Sequence, residues 1–297
     1  MIEGLKDNQL VSVWKWFYNS LKEDYPENEL SSIRNIFFEH YFNIKQTDIV
    51  LKKDLLFSES DIVTVIKGIK KLKNNVPLQY ITGKAYFLDY TFNVNENTLI
   101  PRKETEELVL MASDVISRKY PYLKQVKILD IGTGSGCIAV SIANRIKNSY
   151  VTAVDISDKT LEVAKSNADL IGVKVNFLKY NIFDELKAHN IHYDVIISNP
   201  PYVRELEKAH MHNNVLDYEP EIALFVDDSD PLLYYREICK KAQQGLLVEN
   251  GMLFFEINEY LSDETASLIR KYGFDSIEIH EDINGKKRFI SALLSKL

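Results

Sequence analysis

A chain of 297 residues, 45% hydrophobic and 27% charged, is long enough for two globular domains with cores of their own. Two cysteines, Cys137 and Cys239, exclude a disulfide framework and point to a reducing compartment. A net charge of −7 argues against an enzyme that grips nucleic acid through its phosphates. No apolar run reaches the ~18 residues of a membrane helix, and the charged stretch 1–7 lacks the apolar centre of a secretory signal. A cytoplasmic protein with no membrane partner is expected.

Residues 1–84 read as a helical domain. Leu10, Val13, Trp14, Phe17, Tyr18 and Leu21 recur at three- and four-residue steps. A second stripe runs through Leu30, Ile33, Ile36, Phe37, Phe38 and Phe42, and a third through Ile62, Val65, Ile66, Ile69 and Leu72. The aromatic cluster 14–18 is read as core. Residues 85–104 read as a β-hairpin linker, because aromatic and β-branched residues alternate with polar ones across 86–100. A helical period resumes at 105–115 and opens a third segment, 105–297. Strands are expected at 127–131, 150–155, 174–179, 193–198, 251–257, 276–280 and 289–294. Helices at 137–145, 157–170, 231–244 and 263–271 separate most of them. This rhythm implies an α/β domain whose mostly parallel sheet is covered on both faces. Asn284-Gly285 marks a hairpin turn, which makes the last strand antiparallel.

The strand at 127–131 runs into Asp-Ile-Gly-Thr-Gly-Ser-Gly (130–136), and a helix opens at Cys137. Gly132, Gly134 and Gly136 permit a tight turn and let a ligand lie against bare backbone. Asp155 ends the next strand, where a carboxylate can bind two ribose hydroxyls. NAD and S-adenosylmethionine compete for such a site. The spacing Gly-x-Gly-x-Gly departs from the dinucleotide pattern, whose helix start receives a pyrophosphate. Asp130 suits the positively charged amino-acid end of S-adenosylmethionine and would sit badly beside a diphosphate, although it can also simply cap the turn. The loop favours S-adenosylmethionine.

The strand at 193–198 ends in Asn199-Pro200-Pro201-Tyr202. Ligands of open α/β sheets bind beyond the carboxyl ends of the strands, so the tetrapeptide belongs beside the cofactor. Two prolines lack N–H groups and fix φ, which leaves the Pro200 carbonyl free to face a pocket. If the Asn199 side-chain oxygen and that carbonyl each accept one N–H of an NH2 group, its lone pair is aimed at the methyl donor. The same dipoles stabilise positive charge developing on nitrogen. Tyr202 is expected flat against the planar target, shielding it from water. The target is thus a planar amide or amine nitrogen.

At this point the chain resembles a known family. Asn-Pro-Pro-Tyr is shared by adenine-N6 DNA methyltransferases and protein glutamine-N5 methyltransferases. Pro77-Leu-Gln-Tyr-Ile-Thr-Gly83, Phe87, and Leu99-Ile-Pro-Arg-Lys-Glu-Thr-Glu-Glu-Leu-Val109 look like the interdomain signature of the peptide-chain release factor glutamine methyltransferases. Glu219-Pro220 with Ala223-Leu224 is similar to another stretch of that family. The resemblance runs from about Pro77 to the carboxyl terminus. It implies a Rossmann-like class I methyltransferase domain with seven strands behind a small helical, substrate-recognising domain. It further implies methylation of the glutamine in the Gly-Gly-Gln motif of release factors. By this matching Gly132, Thr133, Gly134, Ser135, Gly136 and Asp155 bind the cofactor, and Asn199 to Tyr202 hold the glutamine, with Asn199 also beside the cofactor. Ile182 falls where the family places a residue, often aromatic, against the adenine. Asn181 stands where Asp is common, and Lys103 where Pro is common. A sister family acts on a ribosomal-protein glutamine, but the Glu104-Thr105-Glu106 run fits the release-factor branch better.

Rival readings are weaker. A DNA adenine methyltransferase needs a target-recognition module, and neither an extra domain nor a basic tract is evident. A non-catalytic cofactor-binding protein has no use for an intact Asn199–Tyr202 motif, and a dehydrogenase is disfavoured by the loop spacing. His210-x-His212 lacks companions at ligand spacing, so no metal is expected. A monomer is expected.

Overall fold

The computed structural model describes residues 4–121, 125–185 and 192–295; part of the charged stretch 1–7 lies outside them. The chain forms two compact units, one comprising Met1–Gly83 with His212–Tyr218 and the other Lys84–Met211 with Glu219–Leu297.

The first unit is helical. Its elements are α1 (Leu10–Leu21), α2 (Glu27–Phe42), the single turn α3 (Asp48–Leu51), α4 (Glu59–Lys73) and α5 (Leu78–Thr82). Ser58 starts α4 with a capping box, its hydroxyl accepting from the Asp61 amide while Asp61 accepts from the Ser58 amide. Asn43 ends α2 in the left-handed conformation. The three apolar stripes meet in one core that includes Trp14, Trp16, Phe17, Phe37, Phe38, Val65 and Leu72. The aromatic cluster is therefore core. Two expected members turn outward instead: Ile36 and Ile66 are exposed, since each lies at the edge of a stripe wider than the contact it makes.

Helix α4 approaches α2 at Gly68, where a methyl group would lie 2.3 Å from the Phe37 ring. On an open helix Gly→Ala adds about 1 kcal/mol of stability. Here Gly68→Ala is expected to lower stability by about 1–3 kcal/mol through overpacking. The check is the urea midpoint of unfolding; an unchanged or raised midpoint contradicts the Phe37–Gly68 contact.

The second unit begins with the hairpin β1 (Lys84–Phe87) and β2 (Tyr90–Asn93), then α6 (Lys103–Lys119) and β3 (Val126–Ile131). It continues with α7 (Cys137–Arg145), β4 (Ser149–Asp155), α8 (Asp158–Ile171), β5 (Asn176–Lys179), β6 (Tyr193–Ser198) and the two-residue β7 (Val203–Arg204). Helix α9 (Asn213–Tyr218) falls in the stretch that belongs to the first unit, where the Tyr218 hydroxyl donates to the Asn74 carbonyl. After it come β8 (Phe225–Val226), α10 (Leu233–Lys241), β9 (Leu247–Glu256), α11 (Ser262–Lys271), β10 (Phe274–Glu281) and β11 (Lys287–Leu294).

Seven of these strands form one sheet in the order β10-β11-β9-β6-β3-β4-β5. Strands β9, β6, β3, β4 and β5 run parallel, and β11 is antiparallel to both neighbours. The turn at Asn284-Gly285 reverses the chain as its sequence requires: Gly285 has φ +75°, and the Asp282 carboxylate accepts from the Asn284 and Lys286 amides. Strand residues alternate between two cores. Ile128, Val195 and Phe254 face one side with residues of α6 and α7, while Leu129, Ile196 and Phe255 face the other with residues of α10 and α11. Each fully buried side chain of this kind contributes roughly 1.5–3 kcal/mol. The hairpin joins the first of these cores through Phe87 and Phe92. Strand β9 starts four residues earlier than its sequence pattern suggests, because Asn250, with φ +57°, lets the strand kink while pairing continues to Leu247.

Candidate active site

The adjacent parallel strands β6, β3 and β4 end at Ser198, Ile131 and Asp155, and the cavity opens beyond these carboxyl ends. The sheet order reverses here, with β4 and β5 on one side of β3 and β6 and β9 on the other. The Ser198 hydroxyl ties two of the strand ends by donating to the Ile131 carbonyl, 2.6 Å.

The loop after β3 has φ of +74° at Gly132 and +55° at Gly134, and a side chain at either would meet nothing within 4 Å. Both face open space, so a ligand can approach the backbone there. Gly136 has a different duty. It opens α7, and a methyl group there would sit 3.1 Å from Ala164 of α8, so it sets how closely the helices pack. Gly132, Thr133, Gly134 and Ser135 line the cavity; Gly136 is not among the lining residues.

Asp155 lines the cavity from the tip of β4. Its carboxylate accepts from the Gly134 amide at 3.1 Å and the Ser157 amide at 3.1 Å. Burial outweighs those bonds and raises its pKa above the usual carboxylate range. Ile182 also lines the cavity, joined by Ile156 and Phe183, which sequence reasoning missed. Phe183 directly follows Ile182 in the loop after β5, and a 3.6- or 2-residue period gives no warning of a loop aromatic.

Asp130 is placed differently from the expectation of direct contact with a cationic ligand. It is 1% exposed and lies behind the loop, outside the cavity lining. Its Oδ2 accepts from the Thr133 hydroxyl at 2.6 Å and the Ala139 amide at 3.2 Å, so it braces the loop and the start of α7. Burial pushes its pKa up to about 7. The Oδ2 contacts are those of the capping role weighed for it, while Oδ1 is buried without a hydrogen-bond partner among the described residues.

Asn199 and Pro200 line the cavity just beyond β6. The Asn199 Nδ2 donates to the Thr105 hydroxyl at 3.2 Å. Among the described residues nothing donates to Asn199 Oδ1 or to the Pro200 carbonyl. Pro201 also lines the cavity, but Tyr202 does not. Its hydroxyl is turned inward, donating to Glu256 at 2.8 Å, and its ring packs on the core beside α10. The expected stacking of Tyr202 on the target group is therefore not its arrangement here: the buried Glu256 carboxyl accepts its hydroxyl and holds the ring inward. Thr105, in the first turn of α6, donates to the same Glu256 at 2.6 Å. Neither Thr105 nor Glu256 was legible as a site residue, because each reads in sequence as an ordinary member of its element.

Two signature stretches that lie far apart in sequence meet at Glu219. This buried carboxylate accepts from the Ile100 amide at 3.1 Å and from Arg102 at 2.6 Å. It thereby pins the segment 100–102, whose Pro101 and Arg102 line the cavity.

A parallel sheet reversed by one antiparallel strand, with a glycine loop, Asp155 and Asn-Pro-Pro-Tyr at the ends of adjacent strands, is the fold of a class I methyltransferase. Comparison with known proteins agrees. The Methyltransferase small domain matches residues 109–217, and the PrmC N-terminal domain matches residues 12–83. A release factor glutamine methyltransferase of Flavobacterium psychrophilum is 45% identical, over 92% of this chain and 95% of that protein. One from Bacteroides thetaiotaomicron is 38% identical, over 92% and 96%. The chain belongs to the release factor glutamine methyltransferase family. Among solved structures, the hMettl16 catalytic domain in complex with the MAT2A 3′UTR hairpin 6 shares the fold, with a TM-score of 0.54 and 14% identity over 92% of this chain and 94% of that one. Among the described residues no helix is long and apolar enough to cross a membrane.

Proposed function

We propose that this chain transfers a methyl group from S-adenosylmethionine to the side-chain amide nitrogen, N5, of the glutamine in the Gly-Gly-Gln motif of peptide chain release factors, in the cytoplasm. The observation that carries the reading is the pair of hydrogen-bond acceptors, Asn199 Oδ1 and the Pro200 carbonyl, both at the cavity and both without a partner among the described residues. An NH2 group bears two hydrogens, and the pair can take one each. The names of the curated relatives support the release factor as the protein that carries it.

The residues present fit the cofactor. The open space at Gly132 and Gly134 would take its amino-acid end against backbone, Asp155 would accept from the ribose hydroxyls, and Ile156, Ile182 and Phe183 would offer apolar surface to the adenine. When bound, S-adenosylmethionine supplies an electrophilic methyl on a positively charged sulfur. Asn199 and Pro200 hold the amide so that its nitrogen, not its more basic oxygen, faces that methyl. The two oxygen dipoles would face the positive charge that develops on nitrogen as it accepts the methyl, and so stabilise it. The nitrogen then loses one proton to water, so no dedicated base is needed. Asp130 holds the loop in shape from behind. The helical unit takes the role of recognising the release factor.

The test is mass spectrometry of a release factor incubated with this protein and S-adenosylmethionine. The expected result is one added methyl on the Gly-Gly-Gln peptide. Methylation of ribosomal protein or of adenine in DNA, with the release factor untouched, overturns the substrate assignment.

A further inference from the structure

We propose that Thr105 and Glu256 are positioning residues that set which end of the Asn199 amide faces the substrate. The inference rests on the reading above, in which Asn199 Oδ1 accepts a substrate N–H.

An asparagine amide is nearly symmetric in shape, and turning it over exchanges an acceptor for a donor. A turned-over Asn199 would present NH2 to the substrate NH2, two donors face to face. Something must therefore fix its sense. Asn199 Nδ2 faces the Thr105 hydroxyl at 3.2 Å, and that hydroxyl faces Glu256 Oε2 at 2.6 Å. Burial raises the pKa of Glu256, and the hydroxyls of Thr105 and Tyr202 oppose that shift by each donating to one of its oxygens; in this arrangement the single Thr105 hydrogen is committed to Glu256. What Thr105 offers Asn199 is then a lone pair, and only the NH2 end of the amide can meet it. The other Glu256 oxygen is occupied by the Tyr202 hydroxyl at 2.8 Å, which keeps the carboxylate in place and saturated with donors. Thr105 and Glu256 are 2% and 1% exposed, so water cannot replace either partner and scramble the order. The backbone delivers the parts from three directions: Thr105 from the first turn of α6, Glu256 from the last position of β9, and Asn199 from just beyond β6, which pairs with β9 through Ser198 and Phe255. The chain of donors thus runs from Asn199 through Thr105 inward to the buried Glu256 carboxyl and leaves Oδ1 outward.

The decisive comparison is between Thr105→Val and Thr105→Ser. Valine keeps the shape and removes the hydroxyl, whereas serine loses a methyl and keeps it. If Thr105 sets polarity, valine is the worse variant. Its turnover on release factor is expected to fall on the order of 10- to 100-fold, while the Kd for S-adenosylmethionine stays near that of the wild type and the midpoint of unfolding drops, because a buried Glu256 oxygen loses its donor. Serine restores turnover to within about threefold of the wild type, a residual barrier of well under 1 kcal/mol. Glu256→Gln is a second probe: Thr105 and Tyr202 sit on separate carboxyl oxygens, so the amide can keep its oxygen for only one of them, and in the molecules whose NH2 turns to Thr105 the relay is reversed, which lowers turnover. Serine worse than valine means that Thr105 only packs, and the inference fails. Near-normal turnover in both Thr105→Val and Glu256→Gln, alongside an inactive Asn199→Ala, also overturns it and leaves the acceptor reading intact. Full activity of Asn199→Ala is the separate outcome that removes that reading itself.

Discussion

Asn199→Ala is expected to lower turnover on a release factor by about 100- to 1000-fold, the scale seen when one preorganised group facing the developing charge is deleted. The variant removes the side-chain acceptor and leaves the Pro200 carbonyl, so one N–H of the target amide loses its partner and the nitrogen is free to rotate. The cost falls on the transition state, where the N–H groups become more acidic and the lost bond matters most. Cofactor affinity should change no more than severalfold, because the glycine loop and Asp155 lie on other strands. Isothermal calorimetry for the cofactor beside single-turnover methylation separates the two quantities. Turnover that survives unchanged would mean that Asn199 does not hold the reacting group.

The complementary result is expected at Asp155. Two hydrogen bonds from ribose hydroxyls to a carboxylate contribute about 1.5–3 kcal/mol each, so Asp155→Ala should weaken cofactor binding by about 100-fold or more. Asp155→Asn, which keeps one acceptor, should fall between. Affinity should also depend on pH, and the sign follows from the ionisation. Burial holds the Asp155 pKa above the ordinary carboxylate value, and only the ionised form accepts from both hydroxyls. Affinity is therefore full above that raised pKa and is lost as pH falls through it, so the acid limb lies higher than an exposed aspartate would place it. Asp155→Asn should flatten that limb. A wild-type affinity that stays constant down to the ordinary aspartate range, or an Asp155→Ala protein that binds normally, contradicts the ribose assignment. Asp130 behaves with the opposite sense in folding. Its pKa, about 7 in the folded protein and near 3.8 when unfolded, means that the stability it contributes is complete below the unfolded value. That stability is lost as pH rises through 7.

The periodicity of the chain was enough to place the longer helices and the seven strands of the main sheet, though not the short α3, α5, α9, β7 and β8, and the Asn284-Gly285 turn was enough to reverse β11. These features follow from local chemistry: which residues bury at steps of two or three to four, and which tolerate a positive φ. That Gly132, Gly134, Asp155 and Asn199-Pro200 line one cavity was legible for the same reason. Backbone conformation at a strand end is a nearest-neighbour property, and the topology rule for open sheets says where those ends meet. What lay beyond the sequence were the side-chain directions set by burial. Asp130 turned behind its loop because Thr133 and the amide of Ala139 were within reach. Tyr202 turned inward because a carboxylate at the end of a distant strand accepts its hydroxyl. Thr105 and Glu256, 151 residues apart, became part of the site only when β9 came to lie beside β6. Hydrogen bonds between such residues depend on tertiary distance, which no local spacing encodes, and in a dry interior it is those bonds that decide where a polar side chain points.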